Sequence, residues 1–366
     1  MAGEFLQEGS AALLPCRAPL IMGYSNVIGA FRGLRIGVDL GTANTLIYVN
    51  DLGVAVNEPS LVTVRAGTGQ IEAAGSDAQA GVGRTPRRLR TVKPIRHGVI
   101  RDWALCNGML HHFLGKAGAS GPFHRLQVAI AVPGELREVG RLAIVESLRN
   151  AGAGGVLLVE QALAAARGAG VPIEEPRGRM VVDIGAGVTD IAVISLANTV
   201  HARSVPVAGD EMDAAIVAQV RATHRLVIGD RTAERIKIQV GSALPRPETL
   251  RVNVKGRCMV HGIPREVTLG DSEIREALSS PVRQIISGIR AVLEQAPPEL
   301  SGDLVDTGIL LTGGSALLRN LDRRISEECG LPVRVAQAPL LSVILGLAHQ
   351  LKYLRSRDWR RFGQAN

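Results

Sequence analysis

Aromatic side chains make up only 3% of this 366-residue chain, with two tryptophans, three tyrosines and five phenylalanines. Its core must therefore be built from Val, Ile, Leu and Ala. The sequence also offers no basic surface interleaved with aromatic rings for stacking nucleic-acid bases, so nucleic acid is not an expected partner. Cysteine is equally sparse. Cys16, Cys106, Cys258 and Cys329 lie far apart and form no CxxC pair, which points to a reduced, cytosolic protein without a zinc site or disulfide framework. No apolar run reaches the ~18 residues that a membrane-spanning helix needs. No GxGxxG follows the first apolar strand and no Walker lysine loop is found, which disfavours dinucleotide folds and P-loop NTPases.

What remains is a globular composition, 46% apolar, on a chain long enough for two domains. The formal charge is +8, carried mostly by Arg. Arg84, Arg87, Arg88, Arg90, Lys93, Arg96 and Arg101 share one stretch, and Arg355, Arg357, Arg360 and Arg361 lie near the end. Such clusters serve either as solvated faces or as attraction to an anionic surface. Residues 1–33 precede the first convincing strand and lack the basic start of a secretory signal. Within them Leu20, Ile21, Tyr24, Val27, Ile28 and Phe31 recur at helical spacing beside Arg17, Arg32 and Arg35. That is the pattern of a helix lying on a membrane surface, although Gly23, Gly29 and Gly33 each cost a helix up to ~1 kcal/mol. A disordered extension, or a start at Met22, is the other reading.

The most informative feature is a repeat. Ile36 to Val49 and Met180 to Val193 each read as an apolar strand ending in Asp-x-Gly, a turn of small residues, then a Thr opening a second β-rich strand. Small residues let backbone N–H groups converge into an anion-binding nest. Two such nests facing each other would clamp a polyphosphate, with Asp39 and Asp183 holding a hydrated Mg²⁺ beside it. Matched flanking strands make the pair a report on architecture.

The intervening segments fit two α/β halves. Leu126 to Val132 reads as a buried strand ended by Pro133-Gly134, Glu135 to Asn150 as a helix stopped by Ala151 to Gly155, and Val156 to Val159 as a short strand. Gly168 to Arg179 looks like the crossing into the second half. There the second hairpin is followed by a helix after Val205 to Asp213, a mixed insertion with a β-rich piece near Leu250 to Thr268, and an amphipathic helix marked by Val282, Ile285, Ile286, Ile289, Val292 and Leu293. Gly308 to Ser315 reads as a strand running into a glycine turn.

Together these pieces resemble the actin-like ATPase superfamily and, within it, the bacterial MreB family. The resemblance runs from about Leu34 to Leu354. It rests on Asp39 to Thr45, Asn57 to Ser60, Gly98 to Ile100, Ile173 to Pro176, Ala208 to Asp213, Arg231 to Arg235, Pro297 to Leu300 and Leu311 to Gly314, in order and spacing. It implies an α/β protein of the actin-like ATPase fold: two duplicated ribonuclease-H-like lobes, each with an inserted subdomain, and a nucleotide in the cleft between them. The implied first lobe core is 34–62, 105–175 and 343–366 with an insertion at 63–104. The second core is 176–211 and 274–342 with an insertion at 212–273.

The resemblance also assigns roles. Gly41, Thr42, Ala43 and Asn44 would form one phosphate loop, and Gly185, Ala186, Gly187 and Val188 the other. Asp39 and Asp183 would lie near the metal, through water. Gly209 and Asp210 would approach the ribose, Glu234 and Lys237 would hold sugar and adenine, and Gly313, Gly314 and Ser315 would pass the adenosine and α-phosphate. ATP and Mg²⁺ are the implied cofactors. The implied partners are further copies of the chain head to tail, an anionic membrane surface and cell-wall morphogenesis proteins, at the inner face of the cell membrane.

Two departures matter. Where the family has Glu-Glu-Pro, with the second Glu taken to activate water, this chain reads Glu160-Gln161-Ala162. A neutral amide orients water but cannot take its proton, so slow hydrolysis with retained binding is expected, with Gln161 in the catalytic position. Eukaryotic actin is similar here, with Gln at this place and a Val like Val188. Ala186 replaces a loop Gly, and a positive φ there would strain it by roughly 1 kcal/mol. Membrane contact in the family also comes from a loop before the Leu126 strand, but Gly118 to His124 offers only Phe123 as an apolar tip. A nucleotide-locked scaffold without turnover is the alternative. A chaperone-like ATPase would need a substrate-binding domain after the core, and a sugar kinase a base in the first lobe; neither is seen in the sequence.

Overall fold

The computed structural model describes residues 34–83, 86–119 and 126–354. The apolar stripe at 20–31, Cys16, Arg84, Phe123 and the arginines at 355–361 lie outside them. The first half comprises β1 (Arg35–Leu40), β2 (Asn44–Val49), β3 (Gly53–Pro59), β4 (Val62–Arg65), β5 (Ile71–Ala74), α1 (Ser76–Ala80), β6 (Leu89–Val92), β7 (Ile95–Arg96), β8 (Val99–Ile100), α2 (Trp103–Lys116), β9 (Leu126–Val132), α3 (Glu138–Asn150), β10 (Ala153–Glu160) and α4 (Gln161–Gly168). The second comprises β11 (Arg179–Ile184), β12 (Thr189–Ser195), β13 (Asn198–Val205), α5 (Gly209–His224), β14 (Leu226–Val227), α6 (Asp230–Val240), β15 (Arg251–Cys258), β16 (Pro264–Gly270), α7 (Asp271–Gln295), α8 (Pro298–Thr307), β17 (Ile309–Thr312), α9 (Leu321–Cys329), β18 (Val333–Val335) and α10 (Ser342–Tyr353).

Each half is organised on a five-stranded sheet of the same plan. The first has the order β3-β2-β1-β9-β10 and the second β13-β12-β11-β17-β18. In both, a three-stranded antiparallel meander is extended by two parallel strands. The repeat seen in the sequence is therefore a repeat of topology. Strand β9 is almost wholly buried, as its apolar lettering, broken only by Gln127, requires in the parallel part of a sheet covered on both faces.

Smaller sheets sit apart from these. The first insertion carries β5-β4-β6 and the two-stranded β7-β8, and the second carries β14-β15-β16. Three cores result. One fills the first lobe around Phe113 and Met109, and one fills the second around Met212, Ile285 and Ile289. The third joins Ala129 and Ala131 of the first sheet to Val181, Ala192 and Leu310 of the second through α4 and α10. Helix α4 buries Ala162, Ala164, Ala165 and Ala166, as a helix enclosed between layers must.

Two boundaries differ from the sequence reading. Helix α3 begins at Glu138 rather than Glu135, because Leu136 turns back onto Pro133 through its backbone N–H. Residues 153–155 do not merely stop that helix; they open β10, pairing with Leu126 and Gln127 across a bulge. Small residues at a bulge lack the β-branched lettering that marks a strand.

Candidate functional site

The two repeated turns are built alike. Gly41 N–H donates to Asn44 O at 3.1 Å, and Gly185 N–H to Val188 O at 3.0 Å. Neither loop uses a left-handed backbone, since no residue of 41–44 or 185–188 has positive φ. Ala186 is thus unstrained, contrary to the concern raised by its lettering. Close approach is what selects glycine here. A Cβ on Gly41 would stand 2.7 Å from Asn44 O. One on Gly187 would stand 2.6 Å from Thr42 Oγ1 and 2.8 Å from the His97 nitrogen. The second loop therefore lies against the first, and the cradles share one cleft.

The strands that feed these loops carry the acids. Asp39 and Asp183 are the penultimate residues of matching strands, Asp39 opposite Leu46 and Asp183 opposite Asp190. Asp183 is 2% exposed, whereas Asp39 keeps an edge open to water. Burial pushes both carboxyls up to about 7. For Asp183 a hydrogen bond from Gln161 partly offsets that push, and the nearby Asp39 charge adds to it. Gln161 Nε2 donates to Asp183 Oδ2 at 2.7 Å. Its neighbour Glu160 faces elsewhere, accepting from Thr199 Oγ1 on β13.

The residues expected on the adenosine side gather around the second loop. Ser315 Oγ donates to Gly185 O at 2.7 Å, Gly209 N–H to the same oxygen at 3.3 Å, and Asp210 N–H to Ala186 O at 2.7 Å. Gly313 has φ +83°, and a Cβ there would stand 2.6 Å from Asp183 Oδ1. Gly314 abuts Leu340. Lys237 Nζ donates to Gly209 O at 3.0 Å and pairs with Asp213 at 2.9 Å, tying α6 to α5. Burial raises the Asp213 carboxyl to about 6; Lys237 opposes the shift, while Glu234 and Asp210 add to it. Glu234, Lys237 and Asp210 thus share one neighbourhood.

Several residues at the cleft were given no role from the sequence. Ser60 Oγ donates to Gly41 O at 2.7 Å and Ser60 N–H to Ala43 O at 2.8 Å, bracing the first loop. His97 and Gly98 form the two-residue turn of β7–β8, with φ +50° and +69°, as a type I′ hairpin requires. Gly98 N–H donates to Thr42 Oγ1 at 3.2 Å, and the position of its missing Cβ lies 3.0 Å from Val188 Cγ1. This turn touches both cradles. Asp190 is buried beside Asp183; burial takes it up to about 7, the Ser204 hydroxyl opposes this, and the charges of Asp183 and Glu135 reinforce it. Asp190 Oδ2 has no hydrogen-bond partner. Its signal, an Asp directly after the loop Thr, is visible in the second repeat and missing from the first.

Among the described residues, no cluster of three or more His, Cys, Asp or Glu side chains forms a ready-made metal site. A hydrated Mg²⁺ needs fewer protein ligands, because it keeps several waters and takes phosphate oxygens. Two mutually repelling buried carboxyls and the orphaned Asp190 oxygen nearby are a donor set that such a cation would satisfy.

The family model described as MreB/Mbl protein matches residues 33–358. The chain is 47% identical over 325 residues to the cell shape-determining protein MreB of Escherichia coli K12, an alignment covering 86% of this chain and 93% of that protein. It is 42% identical over 311 residues to the cell shape-determining protein Mbl of Bacillus subtilis 168, covering 85% and 93%. The crystal structure of MreB5 of Spiroplasma citri bound to AMPPNP is similar with a TM-score of 0.82 at 36% identity, covering 86% of this chain and 94% of that one.

Proposed function

The chain belongs to the MreB/Mbl protein family and has the actin-like ATPase fold, and from that premise we propose that it binds ATP with Mg²⁺ between its lobes, assembles head to tail into filaments, and organises cell shape or cell-wall synthesis at the inner face of the membrane, hydrolysing ATP slowly. The observation that carries this reading is the single cleft where the loops at 41–44 and 185–188 abut over Asp39, Asp183 and Gln161. The AMPPNP held by the related MreB5 supports it.

The proposed roles rest on the family resemblance and on the shared cleft. Backbone N–H groups of the two loops would hold the phosphates, Asp39 and Asp183 would hold the metal through water, and Gly209, Asp210, Glu234 and Lys237 would face the sugar and base beside Gly313, Gly314 and Ser315. Bound Mg²⁺ would neutralise charge on the phosphates. Phosphoryl transfer to water otherwise asks mainly for positioning. Gln161 spends its amide N–H on Asp183, which leaves Oε1 to accept from a water and hold it in line. It takes no proton, so the proton of the attacking water must leave to phosphate or solvent, and turnover is slow. The domain boundaries proposed are those of the sequence reading, with α10 completing the first lobe.

Head-to-tail contact is heterologous and, repeated without closure, produces a filament. Closure of the cleft on nucleotide would alter the relation of the insertions to the cores and so couple binding to assembly. The test is ATP-dependent pelleting followed by electron microscopy, with and without anionic liposomes. Filaments with ATP and none without nucleotide are expected, and a monomer under all conditions overturns the reading. The Gln161–Asp183 bond favours one alternative, a scaffold locked on its nucleotide. Single-turnover phosphate release separates the two: slow release supports hydrolysis, and none supports the lock.

A further inference from the structure

We propose that Lys93 is a positioning residue that holds the two lobes together across the cleft by gripping Asp210 from the opposite side; the consequence for nucleotide exchange rests on the reading of that cleft as a nucleotide site.

Lys93 belongs to the first insertion and Asp210 to the second lobe. The Lys93 ammonium lies 3.1 Å from both oxygens of the Asp210 carboxylate, so it is shared rather than brushing one edge. Both ends are anchored. Lys93 sits between β6 and the β7–β8 hairpin, followed by the buried Pro94, whose carbonyl accepts from Arg101 N–H at 2.8 Å and Asp102 N–H at 3.3 Å. Asp210 stands in the first turn of α5, its own N–H bonded to Ala186 O of the second cradle. Pulling the lobes apart must therefore break this pair, because neither backbone is free to follow.

The same seam carries two weaker contacts. His97 Nδ1 lies 3.8 Å from Glu211 Oε1, and Arg231 of α6 donates to Gln79 O at 3.4 Å. The sign of charge is consistent along it, since the first insertion is rich in Arg and the facing turn of α5 presents Asp210 and Glu211. Lys93 also occupies the carboxylate that the sequence reading directs at the ribose. Holding Asp210 in one orientation and keeping the cleft shut are thus two results of one contact. The side chains keep 36% and 31% of their exposure, so salt weakens the grip.

The experiment compares wild type, Lys93→Gln and the exchanged pair Lys93→Asp/Asp210→Lys as monomers. Hydrogen exchange without nucleotide is read at the Gly98 and Asp210 amides. The expected result is exchange roughly two- to fivefold faster at these amides in Lys93→Gln, unchanged rates in the cores of β9 and β12, and a return toward wild type in the exchanged pair, the range set by a partly exposed ion pair. Raising salt from 50 to 500 mM should reproduce the Lys93→Gln pattern in wild type. Dissociation of a fluorescent ATP analogue should quicken by a similar factor in Lys93→Gln. Unchanged exchange in Lys93→Gln, or no recovery in the exchanged pair, overturns the proposal and leaves an ordinary surface pair. If wild type fails to bind the analogue, the nucleotide reading fails, and the exchange data decide on the grip by themselves.

Discussion

At Gln161 the difference between an amide and a carboxylate is one proton acceptor, placed beside a buried acid. Gln161→Glu restores that acceptor. General-base help is worth about 10²-fold or more, so phosphate release should rise by at least that order with nucleotide affinity retained. An unchanged rate would mean that the 161 side chain does not face the reacting water. The neighbouring acids make a second prediction. Asp39, Asp183 and Asp190 are raised to about 7 from about 4 by burial. Between those values the folded protein holds protons that the unfolded chain releases. Stability without metal or nucleotide should therefore be highest on the acid side, fall as pH rises from about 4 to about 7, and level off above. Cation binding requires the ionised form, so its benefit runs the other way. Thermal melts should show a larger shift on adding Mg²⁺ and nucleotide at pH 8 than at pH 5.5, and equal shifts would remove these carboxyls from the metal site.

Helices α4 and α10 meet at backbone distance because both carry small residues at the contact. A Cβ on Gly346 would stand 2.6 Å from the Ala164 carbonyl carbon and closer still to its oxygen, and one on Gly168 would stand 2.6 Å from the Gly346 nitrogen. Helical backbone cannot yield to that. Gly346→Ala should destabilise the protein by about 3 kcal/mol, the upper part of the overpacking range, read as a drop in the urea midpoint. Gly302 in the middle of α8 is the counter-case, with nothing within 4 Å of its missing Cβ. Gly302→Ala should stabilise by about 0.5–1 kcal/mol through the unfolded chain. These contrasts mark what a sequence discloses. The twin hairpins, the buried β9 and the amphipathic α7 are legible because turn chemistry and periodicity are local. Residues 153–155 are not, because a bulged strand of Ala and Gly has no lettering of its own. Ser60, Lys93, His97 and Gly98 escaped notice at the cleft for another reason. The tertiary course of the first insertion brings Lys93, His97 and Gly98 there, and the turn after β3 brings Ser60; no local pattern announces either.

The whole molecule is two copies of one sheet plan fastened to a common middle layer. Val181, Ala192 and Leu310 of the second sheet pack in the same core as Ala129 and Ala131 of the first, with α4 and α10 between them. A lobe that melted alone would strip that layer of half its cover and expose Ile173, Ile344 and Leu347, all fully buried. Burying such side chains is worth about 1.5–3 kcal/mol each, so the lobes should unfold together. A monomer should give one calorimetric transition, not two. Mg²⁺ and ATP at about 100 times their dissociation constant should raise its stability by about 2.7 kcal/mol without splitting it. Assembly adds a further dependence. If nucleotide promotes head-to-tail contact, the midpoint with ATP should climb with protein concentration, while the midpoint without it should not move. Two transitions, only one of them shifted by nucleotide, would mean that the middle layer belongs to a single lobe. In that event closing the cleft at the proposed phosphate loops could not be transmitted to the far ends of the molecule, where the proposed filament would seat the next subunit.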